Sequence, residues 1–240
     1  MKKSLLLIFA GLLFFTIANA KPGPRVLIFT KTTGFRHASI EEGRKAIAAI
    51  CLENNISVDS TEDAGVFNDK SLKKYDALIF LNTTGELFND DQQKALVRYI
   101  HAGGAWVGIH AATDAEYDWP WYGKLAGAYF KSHPAQQEAV IDVVNKNNPA
   151  TSMLPDKWKR WDEWYNFKDV QPDLKVLAYL DESSYQNGGM NGNHPIVWYH
   201  EFEGGKAFYT GFGHTDETFR EPLMLNHLLG AIRFVISDKK

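Results

Sequence analysis

One histidine stands where an α/β protein commonly presents a reactive side chain. His110 follows the apolar segment 105–109 and lies between Gly108 and the small residues Ala111 and Ala112. A sharp turn of small residues after a strand normally lifts a Ser or Cys nucleophile above the sheet. Histidine instead binds metals and transfers protons near neutral pH. The pattern therefore predicts metal or acid-base chemistry at His110, with Asp114 close enough in sequence to orient its ring.

Four further segments place a histidine or a carboxylate beside Gly, Pro or aromatic residues. They are Gly34-Phe35-Arg36-His37, Ser132-His133-Pro134, Asp162-Glu163-Trp164-Tyr165 and Gly211-Phe212-Gly213-His214. Each segment by itself is equally compatible with an ordinary turn. The sequence contains neither an H-E-x-x-H nor a C-x-x-C motif, so a metal site would have to be assembled from separated loops.

The elements that would position these residues alternate in the first half of the chain. Apolar runs at 25–30, 56–60, 77–81 and 105–109 predict buried strands, and helices are expected from Ser39 and from Asn89 to Tyr99. Continuous apolar strands alternating with helices indicate an α/β fold with a mainly parallel sheet and helices on both faces. Because ligands bind at the carboxyl ends of such strands, His37 and His110 should share one rim.

The second half of the chain is less regular. Residues 139–144 and 176–180 have the composition of strands, and residues 196–202 and 207–210 predict a β-hairpin turning at 203–205. A closing helix is expected over 221–236. The sequence shows no internal repeat and no clear linker, so residues 21–240 are expected to form a single domain.

The first twenty residues have the pattern of a signal peptide. Lys2 and Lys3 precede an apolar run over 5–17, and Ala18-Asn19-Ala20 fits a cleavage site. The alternative is an uncleaved membrane anchor, for which the apolar run is short. We therefore expect an exported protein, periplasmic in a cell with an outer membrane, that has no membrane attachment after cleavage.

Composition narrows the range of partners. The formal net charge of −3 would become −5 when Lys2 and Lys3 leave with the signal peptide, which gives no support for nucleic-acid binding. The single cysteine, Cys51, lies in an apolar-periodic segment and is expected to be a buried thiol rather than a nucleophile. The glycines of the G-x-G-x-x-G fingerprint are missing after the first strand, so we expect no nucleotide cofactor.

The chain also has seven tryptophans. Trp and Tyr rings can stack on the apolar faces of sugar rings, although most such residues are packed in protein cores. The pattern leaves both roles open.

In combination and in their order along the chain, these motifs resemble the ThuA-like (trehalose utilization) family. The resemblance rests on Gly34–His37, Gly108–Ala111, Ser132–Pro134, Asp162–Tyr165, Pro195 with Trp198, and Gly205–His214. It implies a flavodoxin-like, doubly wound fold related to class I glutamine amidotransferases. In that superfamily the turn carries a catalytic Cys, and here His110 replaces it. Glutaminase activity is therefore not expected.

The resemblance also implies a site and a role in sugar catabolism. It makes six residues candidates for the site: His37, His110, Asp114, His133, Glu163 and His214. We expect His37, His110, His133 and His214 to bind a divalent metal, with Zn²⁺ favoured by imidazole ligation and Ni²⁺ or Mn²⁺ as alternatives. His110, Asp114 and Glu163 are expected to be catalytic, and Arg36, Trp164, Tyr165 and Trp198 to contact a small carbohydrate.

Two classes of function follow. The leading hypothesis is a metal-assisted enzyme that isomerises, eliminates or hydrolyses a sugar or keto-sugar derivative. The alternative is a carbohydrate-binding or scaffold protein of a glycan-utilisation system that catalyses no reaction. The sequence leaves the substrate, the metal and the oligomeric state open.

The signal peptide generates the first testable prediction. Cleavage after Ala20 should give a mature protein that begins at Lys21, because the small residues of the A-x-A site fit signal peptidase. Intact-mass spectrometry of protein from the native host measures this directly. Retention of residues 1–20 in the mature protein would contradict the prediction.

Overall fold

Nine strands form one continuous sheet in the computed structural model, which describes residues 23–237. A separate two-stranded sheet is formed by β5 and β8. The strands are β1 (Arg25–Phe29), β2 (Ser57–Thr61), β3 (Ala77–Leu81), β4 (Ala105–Ile109), β5 (Tyr129–Ser132), β6 (Gln137–Val143), β7 (Lys157–Asp162), β8 (Asn166–Lys168), β9 (Lys175–Leu180), β10 (Pro195–Phe202) and β11 (Gly205–Thr210). The α-helices in this part of the chain are α1 (Ile40–Glu53), α2 (Asp69–Leu72), α3 (Asp90–His101), α4 (Pro120–Ala126) and α5 (Pro222–Ile236).

The first part of the large sheet is parallel, as the sequence predicts. Its strand order is β2-β1-β3-β4-β11, and every neighbouring pair runs in the same direction. In the sheet, β2 lies on one side of β1, whereas β3 and then β4 lie on the other side. Because crossovers between parallel strands are right-handed, this reversal places α1 and α3 on opposite faces of the sheet. The carboxyl ends of β1, β3, β4 and β11 meet at one edge.

The remaining strands extend the sheet in antiparallel fashion, in the order β11-β10-β9-β6-β7. The predicted hairpin is β10 and β11, which turn at Glu203 and Gly204, both with positive φ. Four successive antiparallel pairings return β7 to the direction of β11. The carboxyl end of β7 therefore points toward the same edge as the ends of the parallel strands.

Strand β7 was not predicted from the sequence, and its residues show the physical reason. Its residues alternate between exposed and buried, which is the strand period, but two of the inward-facing side chains are Arg160 and Asp162. Charged residues at buried positions hide the alternation of apolar and polar residues by which such a strand is recognised.

The core confirms the expectation for the single cysteine. Cys51 is fully buried on α1, and this burial raises the pKa of its thiol to about 12. A thiol so buried and so weakly acidic is a packing residue.

The predicted signal peptide lies outside the described residues. Within residues 23–237, no helix is both long and apolar enough to cross a bilayer.

Candidate functional site

Three histidines and one glutamate converge at the carboxyl edge of the sheet. His37 follows β1, His110 follows β4, Glu163 follows β7 and His214 follows β11. Each offers one ligand atom, and these four atoms all lie within 4.8 Å of one another. Two of the four were expected on one rim from the strand pattern, and the structure brings all four into one cluster, hereafter the His/Glu cluster.

His110 is held rigidly at its turn. Its φ of +49° lies in the left-handed region, which is costly for a residue with a side chain. The Tyr209 hydroxyl donates to the His110 carbonyl at 2.7 Å and fixes the backbone. At the preceding Gly108 a Cβ would overlap the Trp106 ring, so only glycine fits there. The turn keeps the strained geometry of a nucleophile elbow but presents an imidazole.

The hydrogen bonds of His110 also set its tautomer. Nδ1 lies 3.0 Å from the Gly211 carbonyl, which can only accept, so Nδ1 carries the proton. Nε2 then faces His214 Nδ1 at 3.3 Å and Glu163 Oε2 at 3.5 Å. A backbone carbonyl that orients an imidazole in this way is typical of histidines that bind metals.

His37 is kept neutral by its surroundings. Burial, together with the neighbouring His110 and His214, lowers the pKa of His37 to about 3. Its Nδ1 is buried and has no hydrogen-bond partner among the described residues. Since a buried polar atom without a partner is rare and costly, this nitrogen marks a place where a cation would supply the missing interaction.

The three imidazole rings of the cluster are arranged face to edge. Their centroids lie 5.0 Å (His37 to His110), 5.0 Å (His37 to His214) and 5.3 Å (His110 to His214) apart, at interplanar angles of 77–90°. Near-perpendicular rings can direct nitrogen lone pairs toward one common point. With a carboxylate beside them, the donor set fits a divalent metal.

Glu163 divides its two oxygens between different partners. Oε2 lies 3.0 Å from His214 Nδ1 and faces His110, while Oε1 lies 3.2 Å from His133 Nδ1. Burial by itself would raise the pKa of Glu163, but hydrogen bonds and charge interactions with His110 and His214 lower it well below its usual range. Glu163 is therefore ionised and is suited to binding a metal through Oε2.

Asp162 connects the segments that carry Glu163 and His214, which follow β7 and β11. Its carboxylate accepts hydrogen bonds from the backbone N–H groups of Gly213 and His214, each at 3.1 Å, and from the Thr218 hydroxyl at 3.1 Å. It also contacts the buried Arg160 guanidinium at 3.3 Å. No role was predicted for Asp162 from the sequence, although it lies directly beside Glu163.

The His/Glu cluster opens into a cavity of about 480 Å³, a volume within the usual range for small-molecule sites. Burial raises the pKa of Asp114, against the lowering effect of a 2.7 Å hydrogen bond from the Tyr117 hydroxyl. Asp114 is thus a second carboxyl in the cavity, outside the cluster. The residues lining the cavity are Phe35, His37, Asp114, Phe130, His133, Glu163, Tyr165 and His214.

The structure changes the role expected of His133. It lies outside the group of four ligands, its side chain is 43% exposed, and it contacts the outer oxygen of Glu163. His133 therefore lies beside the Glu163 carboxylate, and Glu163 rather than His133 belongs to the group of four residues that could hold a metal ion.

Three of the residues expected to contact a carbohydrate do not face the cavity. Trp164 and Trp198 are fully buried, and their indole N–H groups donate to the carbonyls of Gln137 and Ala126. Arg36 is exposed and pairs with Glu62 at 2.7 Å. Hydrophobicity draws large rings into the core as readily as into a binding site, so the sequence could not separate these roles.

Tyr165 does line the cavity, together with two aromatic residues that the sequence analysis had not assigned to the site. Phe130 packs on Tyr165 with ring centroids 4.2 Å apart, and Phe35 is 66% exposed at the mouth of the cavity. The position of Phe35 in the Gly34–His37 motif was the available signal, because it lies two residues before His37.

The different positions of His110 and His133 generate a prediction for metal binding. His110→Ala removes a direct ligand and should abolish stoichiometric Zn²⁺ binding. His133→Ala removes only the partner of Glu163 and should weaken binding by roughly 10–100-fold while one site remains. Isothermal titration of the metal-free protein with Zn²⁺ measures both effects.

A matched control is His101→Ala, because His101 is a half-exposed histidine paired with Glu203 on the surface. It should bind Zn²⁺ as the unmodified protein does. If His133→Ala abolished the site as completely as His110→Ala, the supporting role of His133 would be wrong.

The lowered pKa of His37 predicts acid sensitivity of the metal-free protein. Below its ordinary pKa of 6.5, His37 takes up a proton in the unfolded chain but not in the folded chain until about pH 3. His37 therefore does not lower the free energy of unfolding above pH 6.5. Between pH 6.5 and pH 3 the difference in protonation lowers that free energy by on the order of 1 kcal/mol per pH unit. The melting temperature of His37→Asn should fall less steeply between pH 7 and pH 4 than that of the unmodified protein. Parallel curves would show that His37 does not titrate as described.

Comparison with known proteins identifies the family. No curated protein matches the chain. A ThuA-like protein from Bacteroides uniformis is 25% identical, with a TM-score of 0.77, and the match covers 94% of this chain and 97% of that one. A ThuA-like protein from Parabacteroides merdae is 18% identical, with a TM-score of 0.73 and coverage of 91% and 92%.

The fold also occurs within larger proteins. A β-galactosidase from Bacillus circulans matches with a TM-score of 0.60 at 13% identity, covering 92% of this chain but 32% of the enzyme. The family match itself extends over residues 25–235 and carries the description trehalose utilisation. The chain therefore belongs to the ThuA family, whose description gives it a carbohydrate-related role.

Proposed function

We propose that this protein is a divalent-metal-assisted enzyme that acts on a neutral sugar or keto-sugar derivative. The observation that carries the proposal is the His/Glu cluster, whose four ligand atoms lie within 4.8 Å of one another beside an open cavity. The family description of trehalose utilisation supports a carbohydrate as the ligand. Isomerisation, elimination and hydrolysis all remain compatible with the residues present.

The donor set favours Zn²⁺, because three imidazoles and one carboxylate are typical ligands of that ion, and Ni²⁺ and Mn²⁺ are the alternatives. When bound, such an ion would polarise a carbonyl or a diol of the substrate. His37 supports this fit, because its buried Nδ1 otherwise lacks a partner among residues 23–237. His110 would bind the ion through Nε2, since its Nδ1 donates to the Gly211 carbonyl.

Asp114 is the residue best placed to transfer a proton. It lines the cavity without belonging to the His/Glu cluster, and burial raises the pKa of its carboxyl. The Tyr117 hydroxyl lies 2.7 Å from Asp114 Oδ1 and 3.1 Å from the Phe130 carbonyl. Tyr117 can thus donate to the ionised carboxylate, or accept from the protonated acid while donating to Phe130. Both states of Asp114 are hydrogen-bonded, as a general acid-base group requires.

Charge and shape favour a neutral sugar. Within the described part of the chain, no Lys or Arg lines the cavity, so a phosphate or uronate group would find no side-chain cation there. Phe35, Phe130 and Tyr165 offer aromatic surface to the apolar face of a sugar ring. An unphosphorylated sugar also suits the export that the signal-peptide pattern predicts.

Thiol chemistry has no support in the site. The turn that carries a cysteine in glutamine amidotransferases carries His110 here, and Cys51 is buried on α1. The proposal therefore separates the chemistry of this protein from that of its superfamily.

The proposal is tested with protein purified without an affinity tag. Zn²⁺-loaded protein is incubated in D₂O with trehalose, other neutral disaccharides and their keto derivatives, and the products are followed by NMR. We expect conversion of at least one sugar. Asp114→Asn should lower its rate by about 10²–10⁴-fold with unchanged metal content, because it removes the acid-base group but no ligand.

The matched control is Asp59→Asn. Asp59 also accepts a hydrogen bond from a tyrosine, Tyr75 at 2.8 Å, but it lies on the edge strand β2. This variant should retain the rate of the unmodified protein. Binding of sugars without conversion, equally by metal-free and metal-loaded protein, would instead support the carbohydrate-binding alternative and overturn the enzyme proposal.

A further inference from the structure

The loop between β9 and β10 contains both Asn-Gly dipeptides of the chain, Asn187-Gly188 and Asn191-Gly192. Both asparagines are exposed, and both have positive φ, 62° and 55°. Each is followed by a residue without a side chain, which offers the least hindrance to a reaction of its backbone nitrogen. The two sites therefore match in sequence and in the φ of their asparagines, whereas Gly192 has a positive φ of 81° and Gly188 does not.

The two sites also differ in the hydrogen bonding of the backbone nitrogen that would react. The Gly192 N–H donates to Glu182 Oε2 at 2.6 Å, while the other oxygen of Glu182 accepts from the Met190 N–H at 2.7 Å. The Gly188 N–H has no acceptor among the described residues. The backbone nitrogen after Asn187 is thus free, and the one after Asn191 is held by a carboxylate.

We propose that Asn187 is a site of spontaneous deamidation and that Glu182 protects Asn191 from the same reaction. In the reaction the Gly188 nitrogen loses its proton and attacks Asn187 Cγ. The new C–N bond closes a succinimide ring, the bond from Cγ to Nδ2 breaks, and ammonia leaves. Water then opens the ring at either carbonyl and gives aspartate or isoaspartate.

Glu182 opposes this chemistry at Asn191 in two ways. The Gly192 N–H must give up a charge-assisted hydrogen bond before its nitrogen can attack, and such bonds are stronger than neutral ones. The nitrogen must also lose a proton beside a carboxylate, and that negative charge disfavours the amide anion. At Gly188 the backbone N–H makes no such hydrogen bond among the described residues, so the first obstacle is absent there.

The site matters because it borders the network that holds a wall of the cavity. A side chain at Gly188 would meet Glu182, with Cβ 2.8 Å from Cδ, so the segment carrying Asn187 packs against that carboxylate. Glu182 contacts His194 at 3.1 Å, and His194 Nε2 donates to the Tyr165 carbonyl at 2.8 Å. Deamidation therefore adds a negative charge beside the support of Tyr165.

The test follows both sites in the full-length protein at mildly alkaline pH by peptide mapping and mass spectrometry. In the folded protein Asn187 should deamidate at least about tenfold faster than Asn191, the factor expected from one charge-assisted hydrogen bond. In urea-unfolded protein the two rates should come together, because the contact with Glu182 is lost. This comparison needs no variant and is unaffected by any folding defect.

A substitution then assigns the protection to Glu182. In Glu182→Ala the rate at Asn191 should rise toward that of Asn187, and Glu182→Gln, which keeps one acceptor oxygen without charge, should lie between. Asn187→Gln should remove the faster reaction in all backgrounds. Equal rates in the folded protein, no reaction at Asn187, or continued protection of Asn191 in a folded Glu182→Ala variant would overturn the proposal.

Discussion

The buried carboxylate of Asp162 holds the site together. It is fully buried and accepts hydrogen bonds from the backbone of Glu163, Gly213 and His214. Glu163 follows β7 and His214 follows β11, and three strands separate β7 from β11 in the sheet. Without this carboxylate nothing in the strand pairing would bring those two side chains to one point. The positions of the candidate ligands thus depend on long-range hydrogen bonds from backbone N–H groups to the Asp162 carboxylate. These bonds have a fixed direction, and an apolar side chain at position 162 could not accept them.

Burying the charged carboxylate of Asp162 is electrostatically unfavourable, and the surrounding residues offset this unfavourable free energy. Arg160 is as buried as Asp162, and removing charges from water is unfavourable unless they are paired and hydrogen-bonded. Its guanidinium lies over the rings of Trp158 and Phe212, at 4.5 Å and 4.9 Å, and donates to Thr218 at 3.0 Å. The ion pair is therefore part of a hydrogen-bonded network, although the buried Arg160 Nε has no hydrogen-bond partner among the described residues. Its value lies in fixing one arrangement of the site rather than in adding stability.

The same logic applies to the strained turn at His110. Its left-handed backbone is held by Tyr209, whose ring stacks on Trp198 with centroids 4.3 Å apart. Trp198 thus packs against Tyr209, the residue whose hydroxyl holds the backbone of the turn. A strained histidine with one nitrogen committed to a carbonyl has a single orientation, so little rearrangement is needed for it to bind a metal.

Local sequence patterns were enough to predict the parallel half of the fold and the rim on which His37 and His110 lie. Continuous apolar strands, helix caps and glycine turns are local signals, and the right-handed crossover rule converts them into a topology. The hairpin of β10 and β11 and the burial of Cys51 followed from the same kind of pattern. Resemblance to the ThuA family then selected the other members of the site, which spacing had left open.

Which of these residues come into contact depends on the three-dimensional packing of the chain. Glu163 lies in the cluster and His133 lies outside it. Asp162 at the end of β7 binds the backbone of Gly213 and His214 after β11, and no local sequence pattern predicts this contact. Trp164 and Trp198 point into the core, whereas Phe35 lies at the mouth of the cavity. The direction in which an aromatic ring points depends on packing across the whole sheet. Hydrophobic pattern encodes which face of an element is buried, whereas the geometry of a site arises from side chains that are distant in sequence.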